Sequence, residues 1–98
     1  MDRSQVIARL QHNADSVRGM GATGLYLFGS VAKGGATAAS DVDLFIDYDP
    51  AGRFSLFDLV GIQQLLEDDM ALAIDITTRD SLHPALKRDI ETTAIKVF

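Results

Sequence analysis

A chain of 98 residues, 47% hydrophobic and 23% charged, has apolar matter for one core. At this size folding buries roughly 60–65% of the unfolded surface, which excludes a cleft between two internal domains. Nine Lys and Arg against fourteen Asp and Glu leave a formal charge of −5, a surface that repels a phosphate backbone and disfavours direct nucleic-acid binding. The lack of cysteine excludes disulfides, thiolate metal sites and a cysteine nucleophile, and fits a reducing cytoplasm.

In chain order, residues 3–18 read as one helix. Val6, Ile7, Leu10, Ala14 and Val17 share a face, Asp2 and Gln5 form a capping arrangement, and Gly19 and Gly21 end it. Residues 24–28 form a short apolar strand stopped by Gly29-Ser30. A helical turn at 31–33 and a small, polar loop at 34–40 follow. Residues 41–48 alternate as a second strand, with Val42, Leu44, Ile46 and Tyr48 on one face and Asp41, Asp43, Phe45 and Asp47 on the other. Ser55 and Asp58 open a helix over 56–69, with Leu56, Leu59, Val60, Leu65 and Leu66 as its apolar stripe. A third strand covers 72–77, a helix entered at Ser81 and Pro84 ends near Thr92, and 94–98 add a short strand. Strands alternating with helices predict an α/β (α+β) fold in one domain over residues 1–98. No apolar run approaches the ~20 residues of a membrane span, and the start MDRSQVIARL lacks the basic-then-apolar order of a secretory leader, so no membrane role is expected.

The acids carry the chemistry. Residues two apart on a strand project from one face about 6.5–7 Å apart, so Asp41 and Asp43 aim two carboxylates at one region. Two bare charges about 6 Å apart repel by about 3 kcal/mol at an effective dielectric of 20. A divalent cation relieves that repulsion, and hard oxygen donors suit Mg²⁺ or Mn²⁺. A D-x-D pair alone is more often a solvated strand end. Asp75 strengthens the case, because an Asp between Ile74 and Ile76 is out of place in an apolar strand. If its strand lies beside 41–48, three carboxylates gather for two-metal phosphoryl chemistry. Gly29-Ser30, at a strand-to-helix turn, offers backbone N–H groups and a hydroxyl to a phosphate. No Walker A pattern is present.

Taken together, the stretch LFGSVAKGGATAASDVDLFID and the later Asp75 resemble the nucleotidyltransferase superfamily related to DNA polymerase beta. The shortness of the chain after Asp75 is similar to minimal nucleotidyltransferases of the MntA antitoxin type. The resemblance implies a mixed sheet flanked by helices, with two Mg²⁺ held by Asp41, Asp43 and Asp75 as catalytic residues. It implies that Gly29, Ser30, Lys33 and Ser40 bind the nucleotide, with Lys33 standing where such proteins commonly carry Arg. It implies transfer of AMP from ATP to a tyrosine hydroxyl of a HEPN ribonuclease toxin, the partner of such antitoxins. Two other roles fit the same fold: an antitoxin that works by binding alone, and a catalytic subunit modifying a small-molecule hydroxyl.

Other residues have blander readings. His12 is expected to be solvated and His83 to shape a helix entry. Asp47 is expected to be solvated or structural. Glu67-Asp68-Asp69 oppose the dipole at a helix end, which marks a solvated end or a surface for a basic partner. Arg53, Lys87 and Arg88 read as surface charge.

Overall fold

The computed structural model describes residues 2–34 and 41–98. Its elements are α1 (Arg3–His12), α2 (Ala14–Gly19), β1 (Ala22–Phe28), α3 (Gly29–Ala32), β2 (Val42–Tyr48), α4 (Leu56–Met70), β3 (Ile74–Thr78), α5 (Pro84–Thr93) and β4 (Ile95–Lys96). A 3₁₀ turn at Arg79–Ser81 joins β3 to α5.

The strands form one mixed sheet in the order β3-β2-β1-β4. β1 pairs antiparallel with β2 and β4, whereas β2 and β3 run parallel. The parallel pair requires a crossover, and α4 supplies it. Alternation gives each face its own chemistry. Leu25 and Leu27 of β1 and Val42, Leu44 and Ile46 of β2 face a core closed by Val6, Leu10, Val17, Ile62, Leu66 and Met70 of α1, α2 and α4. The opposite face carries Tyr26, Phe28, Asp43, Phe45, Asp47 and Asp75. Phe45 is fully buried there, outside the main core, stacked on Tyr26 at 4.7 Å.

The α/β expectation and the mixed sheet hold, while three local readings change. The helix expected over 3–18 is two helices, broken at Asn13. The Asn13 side-chain amide donates to the Arg9 carbonyl and to Asp69 Oδ2, an alternative to continuing the helix. The stripe assigned to α4 holds in part: Leu66 is buried and Leu59 and Leu65 pack against the core. Leu56 and Val60 are exposed, as is Phe57 at 88%, while Ile62, Leu66 and Met70 form the buried row. The apolar residues of α4 cover more than one side of the helix, so periodicity alone gives too broad a face. Two of the three acids at its end are not free surface, while Asp68 is exposed as expected. Asp69 accepts a fork from Arg9 (2.6 and 2.5 Å) and a bond from Asn13 (2.9 Å), and Glu67 accepts from the Ile74 amide (3.2 Å). They lock α4 to α1 and to β3. Ser55 and Asp58 cap α4 as expected, the Ser55 amide donating to Asp58 Oδ2 at 2.9 Å.

Candidate active site

The strand register decides which acids meet. Asp43 and Asp75 are direct cross-strand partners in the β2–β3 pair, on the face opposite the core. Asp41 lies one residue before β2 and is exposed. Burial, then the charges of Asp75 and Asp41, hold the Asp43 carboxyl above its ordinary range. Among the described residues no three acids or histidines stand at metal-ligand distance. The structure pairs Asp43 with Asp75 across the strands and leaves Asp41 at the entry to β2, its charge still acting on Asp43.

The donor set still fits a hard divalent cation. It offers acceptor-only oxygens, and Asp43 sits in an excess of negative charge that a cation would neutralise. Mg²⁺ takes one or two protein carboxylates and fills its shell from water and substrate, so a pair with a flanking acid suffices.

The glycine turn abuts this pair. β1 ends at Phe28, the partner of Asp43 in the antiparallel register, and the chain turns into α3 at Gly29. Gly29 has φ +75, a conformation costly for other residues. A Cβ there would collide with an Asp43 carboxylate oxygen and stand 3.0 Å from its carboxyl carbon. Glycine thus lets the backbone of the turn lie directly on the carboxylate. Ser30 is exposed beside it, and Lys33 is exposed at the end of α3. Ser40 lies outside the described residues.

A groove of about 470 Å³ opens from this turn. Phe28, Gly29 and Lys33 line one wall, and Leu86, Asp89 and Ile90 of α5 line the other. Its volume falls within the range of small-molecule sites, roughly 300–1,000 Å³.

A family model described as the nucleotidyltransferase domain matches residues 13–97. The chain belongs to the nucleotidyltransferase domain family. Divalent metal and a nucleoside triphosphate are the reactants this family membership implies. The minimal nucleotidyltransferase group is seen in a solved structure described as a putative minimal nucleotidyltransferase, to which this chain is 29% identical. The TM-score is 0.84, over 97% of this chain and 95% of that one. Two relatives from Methanocaldococcus jannaschii, both named putative protein adenylyltransferase, are 35% and 36% identical over 72% of this nucleotidyltransferase chain and 72% and 71% of theirs. A toxin–antitoxin structure with AMP-PNP is 19% identical, with a TM-score of 0.72 over 90% of this chain and 72% of that one, and shares the fold. Among the described residues no helix is long and apolar enough to cross a membrane.

Sequence reasoning missed Arg79. Its Nε and Nη2 donate to Asp47 Oδ1 and Oδ2 (2.7 and 3.0 Å), and its Nη1 donates to Glu91 Oε2 (2.6 Å). The guanidinium lies 4.9 Å from both the Tyr26 and Phe45 ring centroids. Asp47 is therefore structural, the second of its two expected readings. Nothing local marks Arg79, because its partners lie 32 and 12 residues away. His83 caps α5, its Nδ1 accepting from the Ala85 amide, as expected of a helix entry.

Proposed function

We propose that this nucleotidyltransferase is a Mg²⁺-dependent protein adenylyltransferase. It would transfer AMP from ATP to a tyrosine hydroxyl of a HEPN ribonuclease toxin and so act as the antitoxin of a cytoplasmic pair, all within one domain over residues 1–98. The observation that carries the reading is the Asp43–Asp75 cross-strand pair seated on the Gly29 turn, at the mouth of a nucleotide-sized groove. The names of the archaeal relatives support a protein as acceptor. The toxin–antitoxin structures that share the fold support the partner, one of them an MntA–HpeT complex at 16% identity and TM-score 0.66. Tyrosine and the HEPN class come from the resemblance of the sequence motif.

In this reading Asp41, Asp43 and Asp75 would hold the divalent ions. Bound there, the ions would polarise the phosphoryl oxygens and lower the pKa of the acceptor hydroxyl. The Gly29 turn, Ser30, Lys33 and Ser40 would orient the triphosphate, backbone N–H groups and the lysine charge facing its oxygens. The acceptor oxygen bonds to the α-phosphorus, the bond to pyrophosphate breaks, and the hydroxyl proton passes toward Asp75. The groove leaves the acceptor to come from outside, as a partner's side chain does.

The test is to incubate the chain with the protein encoded beside it, ATP and Mg²⁺, and to weigh both proteins. An adenylyl mass gain on the partner, located on a tyrosine and abolished by Asp43→Asn, is the expected result. Tight complex formation with no mass gain would replace it with an antitoxin that acts by binding alone. Modification of an added small-molecule hydroxyl, with the partner unmodified, would replace it with a catalytic subunit.

A further inference from the structure

Arg79 belongs to neither the acid pair nor the glycine turn, yet it joins three parts of the molecule. Its fork rests on Asp47 of β2, its guanidinium carbon lies 4.9 Å from the ring centroids of Tyr26 and Phe45, and its remaining arm reaches Glu91 of α5. α5 has little else to hold it, for none of its residues is buried and Leu86 is 54% exposed. The helix is anchored by Leu82 before it and by β4 after it. Along its length Leu86, Asp89, Ile90 and Thr93 line the groove. Glu91, on the adjoining side, meets Arg79, and Lys87 one turn before it lines a small pocket with Arg79 and Asp80.

We infer that Arg79 is a positioning residue: it struts α5 from behind and so sets the separation between that helix and the Gly29–Lys33 wall of the groove. The inference rests on the nucleotide reading of that groove. Planarity suits an arginine to the task. The fork fixes two atoms on Asp47, the two rings lie beside the cation, and the third nitrogen is left aimed at Glu91. Arg79 also pairs two acids that would otherwise add negative charge to the face where a triphosphate must approach. Without the Glu91 bond, α5 keeps its covalent ends but loses this fixed distance to the sheet. A wall displaced by an ångström is enough to weaken a ligand that spans both sides.

The test is calorimetric titration of the full chain with Mg-ATP, with thermal melts of every variant alongside. Glu91→Ala is expected to weaken Mg-ATP about tenfold, and Glu91→Gln, which keeps the shape of the side chain, to weaken it less. Asp47→Asn keeps one acceptor oxygen for Arg79 and leaves the Glu91 bond in place, so it should weaken Mg-ATP by less than Glu91→Ala does. Arg79→Lys, which still reaches Glu91 as a point charge, should recover part of the affinity lost in Arg79→Ala. Once an acceptor is in hand, Glu91→Ala should raise KM for ATP and leave kcat within about twofold. Equal weakening by Glu91→Ala and Asp47→Asn, in step with equal losses of melting temperature, would reduce Arg79 to a general stabiliser and overturn the inference. Wild-type binding with unchanged binding by Glu91→Ala would overturn the inference alone. A wild-type chain that fails to bind Mg-ATP would overturn the nucleotide reading together with it.

Discussion

Gly29 and Asp43 share one small volume, and each constrains the other. Gly29→Ala would place a methyl group against the Asp43 carboxylate at φ +75. The backbone strain alone is about 1–2 kcal/mol, and the displaced carboxylate adds to it. A urea titration should show a loss of at least this size, with nucleotide transfer falling more steeply than stability. Asp43 itself behaves in the opposite way. Its carboxyl is held above the ordinary range by burial and by the charges of Asp75 and Asp41. A raised carboxyl contributes stability that is fully present below the unfolded pKa, about 3.9, and is lost as pH rises through the native value. At neutral pH the charged site therefore strains the fold. Asp43→Asn should raise the melting temperature by several degrees, at about 4–8 °C per kcal/mol for this size, while abolishing transfer. Mg²⁺ should raise the melting temperature of the wild type and leave the variant unmoved; a variant that melts lower would contradict the account. Such residues were legible in the sequence because function forces them against local preference: an Asp between two isoleucines, a Gly-Ser after an apolar strand. Arg79 was not, because an arginine in a turn follows every local rule and its meaning lies in distant partners.

Among the elements, α4 shows why a hydrophobic pattern can be read and still be only partly placed: Leu59, Leu65 and Leu66 pack on the core as expected, and Leu56 and Val60 do not. Leu56, Phe57, Val60, Ile62, Leu66 and Met70 are all apolar, and only the sheet beneath selects Ile62, Leu66 and Met70. Phe57→Ser should shift stability by less than about 0.5 kcal/mol, because the ring is 88% exposed. Ile62→Ala should cost about 2–5 kcal/mol, because that side chain is fully buried. Urea midpoints of the two variants would expose a wrong face assignment at once. The break between α1 and α2 has a similar origin, since it is made by Asn13 bonding to Asp69, 56 residues away. That cluster also sets a pH dependence. The Arg9 and Asn13 hydrogen bonds hold the Asp69 carboxyl below its ordinary range. Its contribution is present above about pH 4, where an unfolded Asp is ionised, and fades as pH falls through the lower native value. The gap in urea midpoint between wild type and Asp69→Asn should accordingly be largest near neutral pH and close in acid.

In the whole molecule, the order β3-β2-β1-β4 places the two halves of the acid pair on unequal ground. Asp43 rides an interior strand bonded on both sides, whereas Asp75 rides an outer strand of five residues bonded on one. Outer strands open more readily than inner ones. Amide hydrogens of β3 should therefore exchange faster than those of β2, and Mg-ATP should slow β3 more than any other strand. Equal protection across the sheet would argue against a ligand shared by the two strands. Occupancy of the site would then be recorded in how tightly the sheet's margin is sewn, a signal readable with no acceptor present and before any bond is made.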